Sequence, residues 1–126
     1  MTGDRKKILV VEDDKVLRDT LSDHLGRDYE IVQAEDGEQG LNFILDSRPD
    51  LIILDLLLPK LSGLDLLDRV RKYPEAGVAK TKVIIFTNFS NQEFMSRAQE
   101  LGVAEYLVKT LNDIPSLMKK IQETFG

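Results

Sequence analysis

Short runs dense in Val, Ile and Leu recur along the chain, at Ile8 to Val11, Glu30 to Ala34, Leu51 to Leu54, Lys82 to Thr87 and Glu105 to Val108. Runs this short and this apolar predict strands, most of them covered on both faces. Between them, apolar residues stand three and four apart: Leu17, Leu21 and Leu25; Leu41, Ile44 and Leu45; Leu64, Leu67 and Val70; Phe94, Ala98 and Leu101; Ile114, Leu117, Met118, Ile121 and Phe125. That spacing lines one side of an amphipathic helix, so five strand-then-helix units follow one another. Pro49 ahead of the third strand, Ser90 as a cap for the fourth helix, and Asp113 with Pro115 at the start of the fifth mark the boundaries. Strict alternation predicts an α/β fold with parallel strands and helices on both faces of the sheet. The stretch Lys72 to Thr81, with Pro74, Gly77 and several charges, is expected to be an exposed loop. Met1 to Lys7 is expected to be a polar tail ahead of one domain over residues 8–126.

At 126 residues, 42% of them hydrophobic, the chain can fold as one domain that buries roughly 65% of its unfolded surface without a cross-link. Zero cysteines exclude disulfides, thiolate metal sites and cysteine nucleophiles. Seventeen Lys and Arg against 22 Asp and Glu give a net charge of −5, which argues against nucleic acid or an anionic membrane as partner. The apolar run Ile8 to Val11 passes at once into Glu12, Asp13 and Asp14, so no secretory signal is read, and no run approaches the ~18 apolar residues of a membrane span. A cytoplasmic protein is expected, and the Asn88-Phe89-Ser90 sequon then has no use.

In an open parallel sheet every strand points the same way, and residues just past the strand ends share one ligand-binding rim. Glu12, Asp13 and Asp14 follow the first strand, Asp55 the third, Thr87 ends the fourth and Lys109 follows the fifth. Like charges at ~4 Å repel by about 4 kcal/mol at an effective dielectric near 20, so clustered carboxylates call for a counter-charge. Oxygen-only ligands suit Mg²⁺, with Mn²⁺ as a substitute. A carboxylate nucleophile beside a hydroxyl and an ammonium suits phosphoryl transfer. Taken singly, each residue has a plainer reading: Asp14 as a helix cap, Thr87 as a strand-end residue, Lys109 as a solvated charge, Tyr106 as half-core packing, and His24 as a surface histidine beside Leu21 and Leu25. Agreement among four strand ends favours the site.

The segments ILVVEDD (Ile8 to Asp14), AEDG (Ala34 to Gly37), LIILDLLLPKLSG (Leu51 to Gly63), VIIFT (Val83 to Thr87) and AEYLVK (Ala104 to Lys109) resemble, in order and spacing, the receiver domain of bacterial two-component response regulators, of the chemotaxis-regulator kind. The resemblance implies a flavodoxin-like, doubly wound five-stranded sheet of order 2-1-3-4-5 with five helices. It implies that Asp55 accepts a phosphoryl group from a sensor histidine kinase or histidine phosphotransfer protein. Asp13 and Asp55 would bind Mg²⁺ with the Leu57 backbone carbonyl, and Glu12 through water. Thr87 and Lys109 would contact the phosphoryl oxygens, and Tyr106 would change rotamer as Thr87 moves. Such a protein is no enzyme beyond its own phosphorylation and dephosphorylation. Its responsive face would be the fourth helix, fifth strand and fifth helix, roughly Ser90 to Phe125, with Asn91, Gln92, Glu93 and Arg97 exposed. That face would meet a downstream protein, the chain's own output domain or a second copy in a homodimer.

Two positions depart from the family pattern. Thr110 stands where a proline usually follows the lysine, often through a cis bond; a non-proline cis bond costs ~3 kcal/mol, so a trans bond is expected. Asn88 stands where a small residue usually follows the threonine. Leu57 and Phe89, two positions past Asp55 and Thr87, are expected to flank the phosphoryl group, where neither can orient a water; slow self-dephosphorylation follows. A haloacid-dehalogenase type phosphohydrolase would want an aspartate where Leu57 stands, and a longer chain. A nucleotide loop is excluded because no G-x-G-x-x-G follows the first strand, and in Gly77-Val78-Ala79-Lys80-Thr81 an alanine holds the needed glycine position. The remaining alternative is a pseudo-receiver that no longer switches and serves as a constitutive protein-binding module.

Overall fold

The computed structural model describes residues 5–126. In chain order the elements are β1 (Lys7–Val11), α1 (Lys15–Leu25), β2 (Glu30–Ala34), α2 (Gly37–Ser47), β3 (Leu51–Leu54), α3 (Gly63–Arg71), α4 (Ala76–Ala79), β4 (Lys82–Thr87), α5 (Gln92–Glu100), β5 (Glu105–Val108) and α6 (Ile114–Phe125), with a 3-10 turn at Lys109–Leu111. All strand pairs are parallel, in the order β2-β1-β3-β4-β5. This is the doubly wound, flavodoxin-like α/β sheet expected from the sequence.

The near-continuous apolar runs are explained by where successive side chains go. Leu9, Val11, Ile52, Leu54, Val83 and Ile85 join one core with Ile44 of α2, Leu66, Leu67 and Val70 of α3, and Ala98 of α5. The alternate residues Ile8, Val10, Leu51, Ile53, Ile84 and Phe86 join a second core with Leu21 and Leu25 of α1 and Leu117 and Ile121 of α6. A strand with period two that is apolar at every step must be covered on both faces. No helix among the described residues is long and apolar enough to cross a membrane.

Three local expectations need correction. Lys72 to Thr81 is not wholly loop, because it contains the one-turn helix α4, giving six helices among the described residues rather than five. Val78 is buried there. The Arg71 guanidinium fastens the segment, donating to the carbonyls of Ala79 (2.9 Å), Thr81 (2.7 Å) and, across to the end of α5, Leu101 (2.6 Å). The expected fourth helix is therefore α5, and its cap is Asn91, not Ser90: the Asn91 side chain accepts from the Glu93 and Phe94 N–H groups. At the chain start, β1 begins at Lys7 rather than Ile8, and Arg5 donates to the carbonyls of Gly26 and Tyr29. The part of the expected tail over residues 1–4 lies outside the described residues. Asp113 caps α6 as expected, accepting from the Ser116 N–H, with Pro115 in the first turn.

Candidate functional site

Register decides which side chains meet. Val11 of β1 lies level with Leu54 of β3, so Glu12 and Asp55 emerge from neighbouring strands at the same height. The ladder carries on past the strand ends: the Asp55 N–H donates to the Val11 carbonyl (3.1 Å) and the Glu12 N–H to the Ala34 carbonyl (3.0 Å). Thr87 of β4 is level with Val108 of β5, which places Lys109 beside it. Residues up to 97 apart in the chain converge on one rim.

Asp55 is 6% exposed, and both its oxygens have partners. Oδ1 accepts from the Thr87 hydroxyl (2.6 Å) and the Leu57 N–H (3.1 Å), and Oδ2 from the Lys109 ammonium (2.9 Å). The same ammonium donates to Glu12 Oε1 (2.6 Å), while Glu12 Oε2 accepts from the Asp14 N–H (3.1 Å). Lys109 thus bridges the two buried acids. Among the described residues, Glu12, Asp13 and Asp55 each offer a carboxylate oxygen within 4.8 Å of the others, with Asp13 on the exposed side.

Charge is out of balance in this cluster. With all groups ionised, one ammonium faces three carboxylates. Burial pushes the Glu12 carboxyl up to about 7; the Asp55 charge acts the same way, and the Lys109 hydrogen bond only partly opposes them. For Lys109, burial alone would lower the pKa, but the bonds to Glu12 and Asp55 outweigh it and hold the ammonium above its ordinary value. An all-oxygen donor set with surplus negative charge fits a hard divalent cation such as Mg²⁺. Asp13, Asp55 and Glu12 could hold one.

The other expected residues fall around this centre. Tyr106 is half-buried against the core, and its hydroxyl donates to the Phe89 carbonyl. Burial, with the Asp55 charge adding to it, raises the pKa of that hydroxyl. The Phe89 N–H donates to the Thr87 hydroxyl (3.3 Å), while its ring stacks on Phe94 of α5 with centroids 4.7 Å apart. Leu57 turns outward, 52% exposed. Asn88 and Thr110 are both exposed, and the Asn88 side-chain oxygen accepts from the Thr110 N–H (3.1 Å). The bond before Thr110 is trans, as expected, since no peptide among the described residues is cis. Asp14 caps α1, accepting from the Val16 and Leu17 N–H groups. His24 is half-buried with Nδ1 2.9 Å from the Thr20 carbonyl, and it lines a groove of about 500 Å³ with Leu17, Phe86, Lys109 and Pro115. On the expected responsive face, Asn91, Gln92, Glu93 and Arg97 are all exposed as expected, with Asn91 also capping α5 and Arg97 also paired with Asp68 of α3 (2.8 Å).

Sequence reasoning missed Arg18. It is 8% exposed, donates to the Glu12 carbonyl (2.7 Å) and to the Gln33 side chain (3.2 Å), and so fixes the backbone from which the acid projects. Its only sequence signal is a basic residue adjoining Leu17 on an amphipathic helix, which ordinarily means a solvated charge.

A parallel sheet of this order, with an acidic rim where β1 and β3 diverge to opposite sides, defines a doubly wound α/β domain that binds its ligand at the switch point. The family model for the response regulator receiver domain matches residues 8–122, and the chain belongs to that family. It is 30% identical over 118 residues to sporulation initiation phosphotransferase F of Bacillus subtilis, covering 91% of this chain and 92% of that protein. It is 38% identical over 104 residues to the transcriptional regulatory protein DltR of Streptococcus agalactiae, covering 82% of this chain and 45% of the regulator; the chain therefore spans less than half the length of that relative. Among solved structures, the CheY-like response regulator receiver domain protein of Methanospirillum hungatei superposes with a TM-score of 0.87 at 27% identity, covering 95% of this chain and 93% of that one. The N-terminal domain of an uncharacterised protein of Wolinella succinogenes gives 0.84 at 39% identity, covering 94% and 92%.

Proposed function

We propose that the chain is a phosphorelay receiver, working in the cytoplasm, in which Asp55 accepts a phosphoryl group from a phosphohistidine on a sensor kinase or phosphotransfer protein. The observation that carries this reading is the placing of Asp55: a buried carboxylate held by the Thr87 hydroxyl on one oxygen and the Lys109 ammonium on the other, inside an oxygen cluster fit for a cation. In the transfer, a carboxylate oxygen of Asp55 attacks phosphorus, the phosphorus–nitrogen bond breaks, and the imidazole leaves with the electron pair. Bound Mg²⁺ would supply charge neutralisation for the phosphoryl oxygens. Lys109 offers a positive charge and Thr87 a hydrogen-bond donor for those oxygens, both already held against Asp55 and needing only to turn from its carboxylate to the incoming group. The pseudo-receiver alternative rested on Thr110 and Asn88, yet Lys109 meets both acids on a trans backbone.

Partner contact has a surface to use. Val16, Leu57 and Leu111 are exposed large hydrophobics, each following the carboxyl end of a different strand and so sharing the rim with Asp55. Apolar residues framing a charged site suit docking by a donor protein. Output would run through α5, β5 and α6 to a downstream protein, an output domain or a second copy. A coupling of about 1 to 3 kcal/mol is enough for roughly 5- to 150-fold changes in partner affinity.

Incubation with acetyl phosphate and Mg²⁺, followed by intact mass, tests the reading. A gain of one phosphoryl group is expected, and a chelator in excess of the metal should suppress it. No adduct in ample Mg²⁺ would overturn the proposal. The lifetime of the adduct gives a second expectation: Leu57, an apolar side chain two residues past the acceptor, offers no group to orient a water. Leu57→Asn or Leu57→Glu should shorten the lifetime about tenfold, a low value for a positioned polar group. An unchanged half-life would dismiss Leu57 as the cause of slow decay.

A further inference from the structure

Thr110 sits in the first turn of the 3-10 segment Lys109–Leu111, where backbone N–H groups have no partner within the turn. The residue ahead of the turn is Val108, whose side chain cannot cap it. The missing acceptor comes from another loop: the side-chain oxygen of Asn88, 22 residues earlier, accepts from the Thr110 N–H at 3.1 Å. Asn88 directly follows Thr87, and Thr110 directly follows Lys109. The contacts therefore close a ring, from Asp55 to the Thr87 hydroxyl (2.6 Å), along the chain to Asn88, across to Thr110, back one residue to Lys109, and from its ammonium to Asp55 again (2.9 Å). Asn88 is otherwise exposed, and core packing gives it no place.

We propose that Asn88 is a positioning residue which, through the Thr110 N–H, latches the loop after β4 to the turn after β5 and so holds the Lys109 ammonium over Asp55. Its bearing on phosphoryl transfer rests on the reading of Asp55 given above. The latch also makes one feature of two departures from the family pattern: a proline at 110 would offer no N–H, and a glycine or alanine at 88 would offer no side-chain acceptor.

The test measures Asn88→Ala in three backgrounds. In the unchanged chain it should slow phosphoryl uptake from acetyl phosphate about threefold to tenfold, the weight of one partly solvated hydrogen bond. Thr110→Ala keeps the backbone N–H, and there the slowing should persist. Thr110→Pro removes the N–H, and there Asn88→Ala should add nothing, whatever the proline does by itself. A mere structural role is separated by the Lys109 ¹³Cε resonance, which should shift in Asn88→Ala while the urea midpoint stays put. Faster exchange of the Thr110 amide should accompany that shift. Equal slowing in the alanine and proline backgrounds, or an unmoved Lys109 resonance with a protected Thr110 amide, would overturn the latch. Should the unchanged chain take up no phosphoryl group, the reading of Asp55 fails, and the resonance and exchange measurements still decide whether Asn88 holds Lys109.

Discussion

Asp55→Asn is expected to take up no phosphoryl group at a donor and Mg²⁺ concentration that fully loads the unchanged chain, and to stay folded. The two halves of the prediction have separate causes. An amide nitrogen has its lone pair delocalised, and the remaining oxygen is a poor nucleophile already facing the Thr87 hydroxyl and the Leu57 N–H. Shape is preserved, so Asnδ oxygen can keep both of those partners. Lys109 loses one acceptor and retains Glu12 at 2.6 Å, while the repulsion among three clustered carboxylates is relieved. These changes oppose each other, and the unfolding free energy in urea should move by no more than about 1 kcal/mol, the ordinary scale for a point substitution. Adduct formation at an undiminished rate would mean that the acceptor lies elsewhere, with Asp13 and Glu12 the nearest carboxylates.

Gly63→Ala should cost about 3 kcal/mol of stability, the upper end for overpacking. A Cβ on Gly63 would stand 2.3 Å from the Asp55 carbonyl oxygen and 2.7 Å from the Leu56 Cα. Both are backbone atoms, which cannot turn aside as a side-chain tip would. The approach is close because the Gly63 N–H donates to the Leu56 carbonyl (3.1 Å), tying the start of α3 to the segment that leaves β3. Relief of the clash would push the Asp55 backbone away, so phosphoryl uptake should fall along with the urea midpoint. Gly77→Ala provides the contrast. Its Cβ meets nothing within 4 Å and it lies inside α4, so alanine's helix preference should leave stability unchanged or slightly higher. Identical midpoints for the two variants would refute the close approach at Gly63.

The sheet and the site were legible in the sequence for the same reason. Strands buried on both faces must be apolar at nearly every position, so Glu12, Asp55 and Lys109 stood out as the first charges after each run. Features decided by single tertiary contacts were not legible. One buried valine in Lys72 to Thr81 is too little periodicity to reveal α4. Ser90 and Asn91 are adjacent and equally fit to cap, and only the backbone path selects the second. Arg18 is indistinguishable in the sequence from a solvated helix arginine, because its acceptors are a main-chain carbonyl and the side chain of Gln33, 15 residues on. The Asn88 to Thr110 bond joins two loops and carries no periodic trace at all.

The grip of Arg71 bears on how α5 can move. Its guanidinium holds the Leu101 carbonyl at the carboxyl end of α5, and Arg97 to Asp68 adds a second tether to α3. At its amino end the helix is joined to the rim through Phe94 stacked on Phe89, whose N–H reaches Thr87. Contacts at both ends of the helix oppose a slide along its axis more than a tilt. A displacement of Thr87 would then be expected to swing α5 about its Leu101 end, by most where Gln92 and Glu93 face solvent.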